Sequence, residues 1–194
     1  MRRDPGAVRR IDVGDGIYVS AEAPEASRKV PIAALVVGAG LAAAALVRLG
    51  VTADGVLAAW MLIVLAALAG IDLRARVLPN RIIGPAMIAA LAWQLVFWPD
   101  DVVESLLAAF GVAVFLLLTC LLSPGALGMG DIKLAALLGL ALGTQVVSAL
   151  LIGFIAVIPA ALTVLIAGGP GARRTAIPFG PFLGLGAAVV LLAS

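Results

Sequence analysis

The sequence predicts an all-α fold, a polytopic transmembrane helix bundle of about six to seven spans. Of the 194 residues, 63% are hydrophobic and only 12% are charged, whereas about a quarter of the residues of a soluble domain carry a charge. The mean hydropathy is +1.20. The 22 glycines suit helices whose backbones pack closely in lipid.

Seven apolar segments can be drawn along the chain. They are Ile32 to Val47, Val56 to Ile71, Ile82 to Trp98, Leu106 to Leu122, Ile132 to Leu142, Val146 to Ala167 and Phe179 to Leu192. A helix needs about 20 residues to cross the hydrocarbon core, so several segments must borrow flanking residues. The shortest can cross only if its helix starts near Leu127, which would place Asp131 slightly below the membrane surface.

The basic residues predict the orientation. The seven-span drawing places all of the 13 Lys and Arg residues except Arg48 on the amino-terminal side. Because positive loops stay in the cytoplasm, we expect a cytoplasmic amino terminus and a location in the inner (cytoplasmic) cell membrane. Trp60, Trp93 and Trp98 fall towards the outer ends of their segments, as in an interfacial aromatic belt.

The first thirty residues differ in composition from the rest. They combine Pro, Gly, Ser and Ala with charges of both signs, and "IDVGDGIYV" is their one apolar pattern. We interpret residues 1–30 as a mobile cytoplasmic tail and residues 31–194 as the membrane bundle. The first long apolar stretch begins only at Ile32, which favours a retained span over a cleaved signal.

Two acidic residues are out of place in this pattern. Of the 11 acids, five lie in the tail and four on the outer face, which leaves Asp72 and Asp131 at cytoplasmic ends of apolar segments. Carboxylates at membrane depth are costly and point to function. Two carboxyl groups that lie close together share a proton, so one can activate a water molecule while the other acts as an acid. That is the chemistry of aspartic proteases.

The composition excludes several other chemistries. The chain has no histidine, which excludes Ser-His and Cys-His nucleophilic sites and the His-Glu-x-x-His metalloproteases. The single cysteine, Cys120, cannot form a disulfide or a zinc site within the chain, so we expect no metal and no cofactor. The arginines are spread along loops rather than gathered in a patch, so no nucleic acid is expected as a partner.

A purely structural interpretation also fits the polar residues. Asp131 would be the N-cap of the following helix, and Asp72 would form an exposed pair with Arg74 or Arg76. Lys133 would be an interfacial anchor whose charged end reaches water. Spacing alone does not decide between these interpretations.

Three stretches together resemble one family. "GMGDIKLAALLG" resembles the Gly-x-Gly-Asp motif of membrane aspartyl proteases, specifically the type IV prepilin peptidases. "DLRARVLPNRI", from Asp72 to Ile82, resembles the first catalytic segment of that family, and "IPFGPFLGLG", from Ile177 to Gly186, resembles its carboxy-terminal signature. By itself the last stretch would be a turn that leads into a helix.

The resemblance implies that Asp72 and Asp131 are the catalytic pair. They would cut the basic cytoplasmic leader from a prepilin-like protein just before its hydrophobic helix. The lipid bilayer and a pilus assembly machinery would be further partners. The resemblance further implies a set of motif and substrate-groove residues, namely Gly128, Gly130, Lys133, Pro79, Asn80, Pro178, Gly180 and Pro181. As a hypothesis, Asp131 is the resting base, because the dipole at the start of a helix favours a charged carboxylate. Asp72 is then the acid, because the end of a helix disfavours the charged form.

One part of the family pattern is absent. Many members carry two Cys-x-x-Cys pairs between early spans and also methylate the new amino terminus, whereas this chain has one cysteine. The resemblance is therefore to the small peptidase-only members of tight-adherence (Flp-type) pili and to preflagellin peptidases, and it gives no support for methyl transfer. The rival hypotheses are a small transporter that uses the two acids as a proton or ion relay, and an inactive scaffold.

Overall fold

The computed structural model describes residues 11–12, 18–19, 30–122, 127–168 and 178–193. In these residues the chain forms seven α-helices: α1 (Ile32–Leu49), α2 (Ala53–Ala75), α3 (Asn80–Phe97), α4 (Val102–Leu122), α5 (Met129–Leu142), α6 (Val146–Gly168) and α7 (Gly180–Ala193). Short 3₁₀ helices, Pro99–Asp101 and Gly143–Gln145, precede α4 and α6. The predicted all-α membrane bundle is confirmed.

Five stretches of the described residues are each long and apolar enough to cross a membrane. They are α1, α2, α3, α4 together with its 3₁₀ turn, and the run Met129–Val164, which contains α5 and most of α6. Helix α7 is apolar but has only 14 residues. Each apolar segment drawn from the sequence corresponds to one helix. Helix α5 begins at Met129, two residues beyond Leu127, near which the helix was predicted to start in order to cross the membrane.

Most of the predicted tail, residues 1–30, lies outside the described residues, so its mobility stays a prediction. The described part contains two short strands, β1 (Ile11–Asp12) and β2 (Tyr18–Val19), which pair antiparallel. They coincide with the apolar pattern noted in the tail, for which no strands were predicted.

Local sequence explains where the central helices begin and end. Helix α2 starts behind Thr52, whose Oγ1 accepts a hydrogen bond from the amide of Gly55 at 3.1 Å, as an N-cap does. It ends at Ala75, and the next residue, Arg76, adopts the left-handed conformation with φ 51°. Pro79 then precedes α3, and a proline there costs no hydrogen bond because the first amides of a helix have no partner within it.

Helices α2, α5 and α7 form the centre of the bundle. Helix α2 packs against α1 and α7, and α5 packs against α3 and α4. Nine of the 14 residues of α5 are buried, among them its acid, Asp131. A helix that is apolar on every side is expected to be surrounded by protein, which explains why α5 shows no polar face in the sequence.

Candidate active site

Asp72 lies in the last turn of α2 and is only 6% exposed. Its Oδ2 accepts a hydrogen bond from the backbone amide of Gly180, the first residue of α7, at 3.2 Å. The structural interpretation of Asp72 as half of an exposed ion pair is therefore wrong, because the carboxylate points into the bundle. A buried carboxylate needs hydrogen-bond partners, and α7 supplies one.

Asp131 is the third residue of α5 and is 9% exposed. The N-cap of this helix is Gly128, so the expectation that Asp131 is the N-cap is wrong. The side chain instead reaches back, and its Oδ2 accepts a hydrogen bond from the Gly128 amide at 3.3 Å. This is the acidic half of a capping box, in which a residue at the third position satisfies the amide of the N-cap.

The two carboxylates meet in one cavity of about 220 Å³. Its walls are formed by the end of α2, the connection to α3 and the start of α5, with the lining residues Asp72, Arg76, Val77, Leu78, Gly128, Met129, Gly130 and Asp131. Asp72 and Asp131 are close enough to interact electrostatically, and Asp72 also interacts with the charge of Arg76. The chain thus brings together two acids that are far apart in the sequence.

Glycines allow the backbones to come close at this site. A Cβ on Gly180 would lie 2.8 Å from Oδ2 of Asp72, and a Cβ on Gly130 would lie 2.8 Å from Cβ of Leu78. Both distances are shorter than side-chain contacts in proteins allow. Gly180 therefore lets α7 begin against Asp72, and Gly130 lets α5 begin against Leu78.

The other predicted residues lie around this centre without lining the cavity. Lys133 donates from Nζ to Oδ1 of Asn80 at 3.0 Å, in an exposed position, so its charged end bonds a side chain of α3. Pro79 is the N-cap of α3. Pro178 and Pro181 flank Gly180, and Pro181 takes the second position of α7, where a missing amide proton costs little. The expected groove between these prolines is not part of the described cavity.

Val77, Leu78 and Met129 line the cavity but were not singled out from the sequence, and Arg76, which also lines it, was named only as an ion-pair partner of Asp72. Arg76 is the one non-glycine residue with a positive φ among those described, and its amide donates to the carbonyl of Asp72 at 2.8 Å. The left-handed conformation of Arg76 ends α2 one helical turn after Asp72. An unusual conformation of this kind leaves no mark in a sequence, since arginine has no preference for it.

Comparison with known proteins identifies the family. The family model described as the type IV leader peptidase family matches residues 56–167, which is more than half of the chain. The chain belongs to the type IV leader peptidase family. Its resemblance to prepilin peptidases, noted from three motifs, is thereby confirmed.

A curated relative supports the same membership. The prepilin leader peptidase/N-methyltransferase of Bacillus subtilis (strain 168) is 32% identical over 165 residues, which cover 82% of this chain and 64% of the relative. No solved structure matches the chain significantly. The family match includes both acids, whereas Gly180 lies beyond it. Among the described residues of this family member, no group of three His, Cys, Asp or Glu side chains could hold a metal ion.

Proposed function

We propose that this chain is an aspartic endopeptidase that removes the cytoplasmic leader of prepilin-like proteins, with Asp72 and Asp131 as its catalytic residues. The observation that carries this proposal is that two buried carboxylates, from different helices, line a single cavity. Membership of the leader peptidase family supports the class of reaction, and the name of the Bacillus subtilis relative supports the class of substrate.

The hydrogen bonds suit a general acid and base pair. In each acid, Oδ2 accepts from a backbone amide, and Oδ1 receives no hydrogen bond from the described residues. Those amides fix the orientation of both carboxyl groups and leave one oxygen of each for the reaction. Two carboxyls that interact favour a state with a single shared proton. One can then take a proton from water while the other donates a proton to the peptide carbonyl.

Lysine and arginine residues support the orientation that such a substrate requires. Arg74, Arg76, Arg81 and Lys133 belong to the end of the bundle that holds the acid pair, whereas Asp54, Asp100 and Glu104 belong to the opposite end. By the positive-inside rule, the acid pair faces the cytoplasm. A leader that stays in the cytoplasm ahead of a hydrophobic helix would then present its cleavage site at the level of the pair.

The test is to co-express the full chain with a tagged prepilin that carries a basic leader, and to measure the intact mass of the prepilin. Wild type should remove the leader. Asp72→Asn and Asp131→Asn should each lower the cleavage rate by about 10²–10⁴-fold, the usual contribution of a general acid or base. Asp100→Asn is the matched control, because Asp100 is an exposed acid outside the cavity.

The outcomes separate the competing functions. Cleavage by wild type and by Asp100→Asn, but by neither site variant, supports the proposal. Undiminished cleavage by the site variants would refute the acid pair. A well-folded wild type that cuts none of several prepilins would refute the peptidase and favour a proton or ion relay. An added methyl group on the new amino terminus would show a second activity, for which the chain gives no evidence.

A further inference from the structure

The turn that follows α2 places one cation at the cavity of the acid pair. Arg76 is the single Lys or Arg among the described residues that line this cavity, and its charge interacts with that of Asp72. In the part of the chain that the structure describes, no hydrogen bond or close ion pair engages its guanidinium group. Arg76 is exposed, so its five side-chain N–H donors are available to a molecule that enters the cavity.

The backbone of Arg76 gives an independent observation. Its φ of 51° is the left-handed conformation, in which the Cβ of an L-residue is crowded. The residue that takes this conformation after the end of a helix is most often glycine. The chain has 22 glycines, and one of them, Gly180, permits a close approach at this same site. Because arginine at this position costs stability, we expect its side chain to have a role that glycine could not fill.

Neither the membrane orientation nor the end of the helix requires a cation at this position. Arg74 and Arg81 are exposed at the same end of the bundle, and Arg74 already lies in the last turn of α2. Cations near the end of a helix interact favourably with its dipole, and basic residues beside a span keep it in the cytoplasm. These two neighbours supply both effects without a positive φ.

The reaction proposed for the acid pair creates a need for a cation. The base of the pair takes one proton from water, and the water oxygen bonds to the carbon of the scissile carbonyl. The electron pair of the C=O π bond moves to the carbonyl oxygen, which gains negative charge until the acid of the pair protonates it. Two carboxyl groups that share one proton already carry a negative charge. Guanidinium donors beside them would stabilise the charge that develops on the carbonyl oxygen.

We propose that Arg76 is a further catalytic residue, which donates hydrogen bonds to the carbonyl oxygen of the scissile peptide bond. Arginine keeps its protons at every step, so the acid pair still carries out both proton transfers. The hydrogen bonds strengthen as the carbonyl oxygen becomes charged, and an interaction that is stronger in the transition state raises kcat. This inference rests on the proposed peptidase function and adds a role that the two acids do not fill.

Arg76→Gly separates this role from a structural one. Glycine relieves the left-handed backbone, and an exposed charge contributes little to stability, so the unfolding temperature should equal or exceed that of wild type. The kcat for leader cleavage should nevertheless fall by about 10²–10³-fold, the usual effect of losing one oxyanion donor, with little change in KM. Arg76→Lys should keep part of the activity, because lysine offers a point charge without a planar fork of donors.

Chemical rescue and a matched control complete the test on the full chain in detergent. Guanidinium chloride far below denaturing concentrations should restore part of the cleavage by Arg76→Gly, whereas NaCl of equal concentration should not. Arg81→Gln removes an exposed arginine outside the cavity and should cleave as wild type does.

The outcomes distinguish this inference from the proposed function. A wild-type rate in Arg76→Gly, or a joint loss of rate and stability without rescue, would overturn the role of Arg76. If Asp72→Asn is inactive in the same assay, the peptidase itself still stands. A wild type that cleaves no prepilin would overturn both the peptidase and the role of Arg76.

Discussion

Single glycines determine how closely the backbone approaches each acid of the proposed catalytic pair. Gly180 is the clearest case, because its amide donates to Asp72 and a Cβ there would be 2.8 Å from the same oxygen. A side chain at this position must either push α7 away from Asp72 or turn the carboxyl group. Both responses change the geometry of the acid pair without removing a chemical group from it.

Gly180→Ala should therefore lower leader cleavage on the order of 10²-fold, which is typical of a misplacement of about 1 Å. The control is Gly184→Ala in the same helix, whose Cβ would meet its nearest atom at an ordinary 3.9 Å. Cleavage rates of the two variants in equal amounts of folded protein provide the measurement. Equal rates would show that the contact between α7 and Asp72 does not matter for activity.

Lys133 and Asn80 form an exposed link between α5 and α3. Lys133→Met and Asn80→Ala should each lower the free energy of unfolding by at most about 1 kcal/mol, since exposed charged contacts contribute little. The double variant should lower the free energy of unfolding by no more than the more destabilising single variant does. A double-mutant cycle on thermal stability checks this, and fully additive losses would mean that the two side chains act separately.

The two acids could be predicted from the sequence because each stands at the end of an apolar segment. The hydrogen bond from Gly180 to Asp72 could not be predicted, since the two are more than 100 residues apart and no local pattern encodes such a contact. The assignment of Asp131 as base also rested on local information. Asp72 has an equivalent partner, the amide at the start of α7, so helix ends do not distinguish the two acids. That assignment stays a prediction.

Among the helices, α4 and α5 make a contact that depends on small residues. A Cβ on Gly139 of α5 would clash with the backbone of Ala109 in α4. Close contact through small residues is a common way for helices to associate in lipid. Helix α5 also carries Asp131, so its position fixes one half of the acid pair.

Gly139→Ala should lower the free energy of unfolding by about 1–3 kcal/mol, the usual cost of overpacking. The matched control is Gly111→Ala in α4, because a Cβ at Gly111 would have no atom within 4 Å. Unfolding in mixed micelles with a denaturing detergent measures both variants. A loss of stability in Gly111→Ala equal to that in Gly139→Ala would show that the glycines act through helix propensity.

Apolar segments in the sequence located all seven described helices because length and hydropathy alone fix where a chain can cross lipid. The same segments gave no indication of which helices touch. Helices α2 and α5 are apolar on all sides, and a helix without a polar face shows no direction in which to pack. The arrangement around α2, α5 and α7 therefore required the structure.

For the whole molecule, the charges predict which end faces the cytoplasm. In a Cys120→Ala background, Asp100→Cys should react with a membrane-impermeant maleimide in intact cells. Arg81→Cys, exposed at the other end, should react only after lysis, because basic loops stay inside. Gel shifts of the labelled protein provide the measurement. The opposite pattern would place the acid pair outside the cell and exclude a cytoplasmic leader as substrate.

The central helices α5 and α7 have 14 residues each, or about 21 Å at the rise of an α-helix. Lipid hydrocarbon is about 30 Å thick. Each of these helices begins beside one acid of the pair and ends near a second cavity at the opposite end of the bundle. Each of these two helices is thus roughly a third shorter than the hydrocarbon is thick. The hydrolysis proposed for the acid pair would therefore require no long water channel, because these two helices are shorter than the hydrocarbon is thick.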